Sequence, residues 1–185
     1  MIMHNNLENK TTVKGTTLTL KNIIYTALFA AIVCVTTMTV KIPAAGGYYH
    51  IGDAFIYFAA VCMPFPYAMI AGALGGSLSD LILGYTVYAL PTFIIKACMA
   101  GFFTSKKSKI LCLRNFIAMI IASVITIGGY YITEVIILSG NLTGALATVY
   151  GNIIQAVSSA VIFTLIAAAV DKTNIREMIF KSIKK

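Results

Sequence analysis

His50, Asp53, Asp80 and Glu134 carry the side chains of this chain best suited to gripping a metal or moving a proton. Their spacing argues against a metal centre. A zinc or iron site wants several nitrogen or sulfur ligands at close, regular spacing. Here one His stands in a Gly- and Tyr-rich stretch, GGYYHIGDAF (46–55), and no HExxH pair accompanies it. Cys34, Cys62, Cys98 and Cys112 contain no CxxC and read as small buried hydrophobes rather than a disulfide or metal set. An intramembrane metalloenzyme built on these four groups is therefore a poor fit, and no metal, cofactor or catalytic residue is expected.

The remaining chemistry is polar side chains set into long apolar runs, where they are costly and mark function by default. In PYAMIAGALGGSLSDLILG (66–84), Ala68, Gly72, Gly76 and Asp80 fall four apart, as do Ala71, Gly75 and Ser79. Gly72 and Gly76 read as structural, letting helix backbones approach closely. Lys96 lies in PTFIIKACMAG (91–101), and the chain turns back through GYTVYALP (84–91). Asp80 and Lys96 are thus expected at similar depth as a structural ion pair, with Glu134 or a ligand as the other partners open to Lys96. Tyr130, Tyr131 and Glu134 share one helix face. Glu134 needs a partner, and either a polar ligand or Lys96 would serve. Thr148, Asn152, Gln155 and Ser159 form one polar stripe that binds a neighbouring helix or reads a ligand's donors and acceptors. Asn152, Gln155, Glu134 and Lys96, ringed by Tyr48, Tyr49, His50, Tyr85, Tyr88 and Tyr131, describe a small-molecule pocket.

Apolar helices must position these groups. The chain is 59% hydrophobic and only 11% charged, against about 25% charge in a soluble domain. That excludes a soluble fold and predicts an all-α integral membrane protein, a compact bundle of six helices in the lipid bilayer. The expected spans are 21–40, 53–63, 67–83, 91–104, 115–138 and 144–170. Residues 1–20 form an N-terminal tail, 21–170 the membrane domain, and 171–185 a basic C-terminal tail. Of the 14 Lys and Arg, all but Lys41 and Lys96 fall in the two tails, at Lys21 where the first span begins, or in the 106–114 connection. The positive-inside rule then puts both termini in the cytoplasm and GGYYHIGDAF outside. The net charge of +8 reports this asymmetry and is no nucleic-acid signal. In the C-terminal tail Ile175, Met178, Ile179 and Ile183 recur at helical spacing between basic residues. This suits a helix lying on the inner membrane surface, with a frayed, solvated tail as the alternative.

Three blocks, HIGDA (50–54), MPFPYAMIAGALGGSLSDLILGY (63–85) and PTFIIKACMAG (91–101), resemble the substrate-binding S components of energy-coupling-factor (ECF) vitamin transporters, in the riboflavin-type branch. The likeness covers nearly the whole chain. It implies a protein that binds one vitamin or precursor from outside, docks on a T subunit carrying two ATPases, and hydrolyses nothing itself. Ala27 and Ala31, in ALFAA (27–31), match the small-residue patch that meets the T subunit, and their i, i+4 spacing leaves a smooth groove for a partner helix. The resemblance further implies that the first outer loop closes over the ligand. Gly46 and Gly47 would free that loop, and Tyr48 and Tyr49 would offer flat faces to an aromatic ligand. Asp53 is expected to cap the second helix, with ligand contact as the alternative. The absence of Trp departs from the thiamine-binding branch. Tyr-rich walls suit riboflavin, pyridoxine or hydroxymethylpyrimidine without choosing between them, and leave cobalamin or a queuine-like base open. A small independent transporter or channel is the alternative function, although the chain carries no evident inverted repeat or broken helix pair.

Overall fold

A computed structural model describes residues 11–13, 16–18, 20–44, 47–105, 109–137 and 140–184. Six apolar helices make the bundle: α1 (Leu20–Thr39), α2 (Gly52–Cys62), α3 (Phe65–Ile82), α4 (Thr86–Ala100), α5 (Leu113–Ile137) and α6 (Leu142–Val170). A short amphipathic helix, α7 (Ile175–Lys184), follows. Two hairpins accompany them: β1 (Thr11–Val13) with β2 (Thr16–Leu18), and β3 (Lys41–Ala44) with β4 (Gly47–His50). The tail expected over residues 1–20 thus contains a hairpin, and the expected outer loop is a hairpin too. Of the glycines expected to free it, Gly46 lies outside the described residues and Gly47 pairs with Ala44.

By length and composition, α1, α5 and α6 can each cross a membrane. Their outward faces are apolar: Ile23, Leu28 and Val35 on α1, Phe116, Ile120 and Val124 on α5, and Val157, Val161 and Leu165 on α6 are all exposed. Such a belt is stable against lipid rather than water. This is a multi-pass, all-α membrane bundle.

Helix α2 is the buried centre, with almost every residue shielded. Its Tyr57 stacks on Phe103 at 4.9 Å and meets Phe163 edge-on at 5.7 Å, joining α2, the start of the α4–α5 connection and α6. An 11-residue helix can sit there because neighbours cover it on all sides. The small residues of α3 work on two faces. A Cβ on Gly72 or Gly76 would press on Ile56 of α2 or on Lys96 and Thr92 of α4. One on Gly75 would strike Ala30 and Val33 of α1. The glycine ladder therefore packs α3 against both α1 and α4.

Helix α4 begins at Thr86, five residues before the expected start, and carries Pro91 inside it. Gly84, at φ +85°, makes the tight turn from α3 that permits the early start. The shift brings Tyr88 onto the helix, one turn before Thr92 and two before Lys96 on the same face. The four cysteines are free; Cys34 and Cys62 are buried as expected, while Cys98 is exposed and Cys112 partly so.

Candidate substrate-binding site

The β3–β4 hairpin lies across one end of the bundle, against α6 and α1. Strand alternation sends Tyr48 and His50 to one face and Tyr49 to the other. The Tyr48 hydroxyl donates to Asp80 Oδ1 of α3 at 2.7 Å. Its ring lies 5.1 Å from Tyr85 at the start of α4, and Tyr85 lies 6.4 Å from Tyr88. The Tyr88 hydroxyl donates to Glu134 Oε1 of α5 at 2.6 Å. An arc of three tyrosines thus runs from α3 to α5 with a carboxylate at each end. Tyr49 rests on α6, where Gly151 leaves the space; a Cβ there would overlap its ring.

Under the hairpin these residues enclose a cavity of about 60 Å³, completed by Tyr49, His50, Thr92, Tyr130, Thr148, Asn152 and Gln155. On its floor the Gln155 amide joins three elements. Its Oε1 accepts from the His50 backbone N–H at 3.4 Å, and its Nε2 donates to Asp53 Oδ2 at 3.0 Å. Asp53 Oδ1 accepts from Lys96 Nζ at 2.6 Å, and both ion partners are fully buried. Lys96 also sits 5.2 Å over the Tyr130 ring, a cation–π contact. His50 Nδ1 accepts from Gly52 N–H at 3.1 Å, which leaves the ring proton on Nε2. Burial pushes the His50 pKa down to about 4, the pull of Asp53 opposing and the repulsion of Lys96 adding to it. The imidazole is neutral at pH 7. Burial, and then the neighbouring Asp80 carboxylate, push the Tyr48 phenol up, so it stays a donor.

Of the expected pocket residues, Tyr48, Tyr49, His50, Tyr85, Tyr88, Glu134, Asn152 and Gln155 come together around this cavity. Three expectations need correction. Lys96 pairs with Asp53, not with Asp80 or Glu134, because α2 brings Asp53 into the centre while the tyrosine hydroxyls hold the other two acids. Asp53 does not cap α2: Ile51 occupies the cap position without a side-chain bond, and the Asp53 carboxylate is spent on Lys96 and Gln155. Asp80, expected to be purely structural, lines the cavity, whereas Lys96 and Tyr131 do not. In place of Tyr131 stands Tyr130, whose hydroxyl bonds Thr92 Oγ1 at 3.0 Å. The i, i+4 relation of Tyr130 to Glu134 was the available signal, and Tyr88–Thr92–Lys96 repeats it on α4. Ala27 and Ala31 are both exposed on the outer face of α1. Among the described residues no group of three His, Cys, Asp or Glu side chains gathers as a metal site would.

A bundle of apolar helices enclosing one aromatic-walled, polar cavity is the build of a multi-pass membrane protein with a small-molecule site. Residues 17–172 match the family described as ECF-type riboflavin transporter, S component, and the chain belongs to that family. It is also 33% identical over 135 residues to an "Uncharacterized protein in gap 3'region" of Pyrococcus woesei, a match covering 70% of this chain and 88% of the relative.

Proposed function

We propose that the protein is the high-affinity substrate-binding component of an ECF importer, taking a flat heteroaromatic vitamin or precursor from outside the cell. Riboflavin, pyridoxine and hydroxymethylpyrimidine are the class. The observation that carries this reading is the tyrosine-lined cavity under the β3–β4 hairpin, with acids and amides set between aromatic faces. Aromatic walls supply stacking area, and a few placed polar groups fix orientation. The protein sits in the cytoplasmic membrane with both termini inside, as the basic residues indicate, and the hairpin faces outward. The ligand-binding residues are Tyr48, Tyr49, His50, Tyr85, Tyr88, Glu134, Asn152 and Gln155, with Asp80, Thr92 and Tyr130 completing the wall.

Delivery inward takes place on a T subunit carrying two ATPases, with Ala27 and Ala31 as the contact. Their exposure on α1 supports this, since two Ala one turn apart let another helix approach closely. The test has two parts. Purified protein is screened by thermal shift against a vitamin panel; a ligand at a thousandfold excess over its Kd adds about 4 kcal/mol of apparent stability. Ala31→Phe is then assayed for uptake in cells and for binding in detergent. Lost uptake with unchanged affinity is expected; unchanged uptake would remove the docking role.

A further inference from the structure

The cavity wall carries two acids and, among the described residues, no permanent cation. Asp80 and Glu134 line it, while among the described residues no Lys or Arg does. Lys96, the nearest cation in the core, is neutralised by Asp53 at 2.6 Å. Asp80 is half satisfied. A phenol has one proton, and Tyr48 gives its proton to Asp80 Oδ1 as Tyr88 gives its own to Glu134 Oε1. Asp80 Oδ2 is buried with no hydrogen-bond partner among the described residues, in a side chain only 6% exposed. The hydroxyls of Thr92 and Tyr130 beside it share one bond at 3.0 Å in which either can donate, and neither stands in a bond to this oxygen.

A buried carboxylate oxygen without a donor is costly, and native proteins rarely leave one so. At a cavity wall the missing donor is supplied by what enters. The free space lies between aromatic faces, which suits a flat ring. We infer that the substrate is a small heteroaromatic ring bearing an amino group or a positive charge, gripped between Asp80 and Glu134, and that carboxylate vitamins and phosphate esters are refused. This inference rests on the reading of the cavity as a vitamin site. The refusal follows from the same two acids. A phosphate placed there would meet two carboxylates in a medium of low dielectric, with no Lys or Arg among the described wall residues to offset the repulsion.

The test uses the full chain in detergent, shown to be ligand-free by mass spectrometry. Calorimetric titration compares pyridoxamine and 4-amino-5-hydroxymethyl-2-methylpyrimidine with their phosphate esters, with pantothenate and with riboflavin. At least one amine should bind, at least tenfold tighter than its own phosphate ester and than pantothenate. Asp80→Asn and Glu134→Gln should each weaken the amine at least tenfold, while gel filtration and the melting profile stay those of folded protein. A phosphate ester or pantothenate binding as well as the amine would overturn the inference, and so would riboflavin binding where both amines fail, or full affinity in both variants. Those outcomes leave a vitamin-binding protein in place. Silence across the whole panel in folded, ligand-free protein would bring down that reading and the inference with it.

Discussion

The two ends of the bundle use polar residues in opposite ways. At the hairpin end, side chain meets side chain across long stretches of sequence: Tyr48 with Asp80, Tyr88 with Glu134, Gln155 with Asp53. Bonding capacity is left over, most plainly at Asp80 Oδ2. At the other end, side chains are spent on backbone. Asn115 accepts from Thr104 N–H at 2.9 Å and donates to Ile110 C=O at 2.9 Å. Asp171 accepts from the N–H groups of Ile110 and Leu111, at 2.7 and 3.0 Å. Arg176 of α7 is buried and donates to Val61 C=O at 3.1 Å and Ser105 C=O at 2.5 Å. Those bonds tie α7, the end of α2 and the α4–α5 connection into one closed cap. Spare capacity on a cavity wall suits an end that receives something; side chains spent on backbone suit an end that holds shape.

Breaking this contrast should produce effects of graded size. The largest lies beneath the cavity. Lys96→Met leaves Asp53 buried without its cation and should cost about 3–5 kcal/mol in thermal or denaturant unfolding. Adding Asp53→Asn to Lys96→Met should recover part of that loss; a double variant as unstable as the sum of the two singles would refute the pairing. At the closed end, Asn115→Ala removes a buried residue that satisfies three backbone groups and should cost about 2–3 kcal/mol while leaving ligand affinity unchanged. A fall in affinity equal to that of a cavity variant would erase the distinction between the ends.

Smaller effects sharpen it. Gly151→Ala should expel Tyr49 from its seat on α6, weakening ligand about tenfold with little change in melting temperature, because the hairpin contributes little to the core. Titration of His50 should loosen the hairpin selectively. Its pKa is about 4 when buried and 6.5 when free. The open state therefore binds a proton that the closed state refuses. Closure is fully stabilised above about pH 6.5 and weakens, by up to about 3 kcal/mol, as pH falls towards 4. Hydrogen exchange of 41–50, corrected for the intrinsic pH effect, should rise over that window relative to the closed end. Equal rises at both ends would assign the change to general acid unfolding.

Much of this architecture is legible in the residues. Apolar runs of the right length give the helices to within a few positions, since hydropathy and the 3.6-residue period are local properties. The stripe Thr148–Asn152–Gln155 is visible for the same reason, and all three residues reach the cavity. Pro91 misleads at the start of α4 because a proline inside an apolar helix looks like a boundary. Tyr131 and Tyr130 are adjacent on a helix amphipathic only in part, so the choice between them depends on how α5 is rotated against α4.

The sequence by itself determined that this chain is a membrane bundle, that its apolar spans carry few charges, and that polar groups and tyrosines recur on their faces. The residue types and the spacing along each helix carry that information. Only the tertiary structure decided which charge answers which. Lys96 and Asp53 lie 43 residues apart and Gln155 and Asp53 102 apart. No local pattern selects such partners. Their choice depends on how deeply α2 is buried and on how closely the glycines of α3 let α4 approach, and it leaves Asp80 and Glu134 facing the cavity.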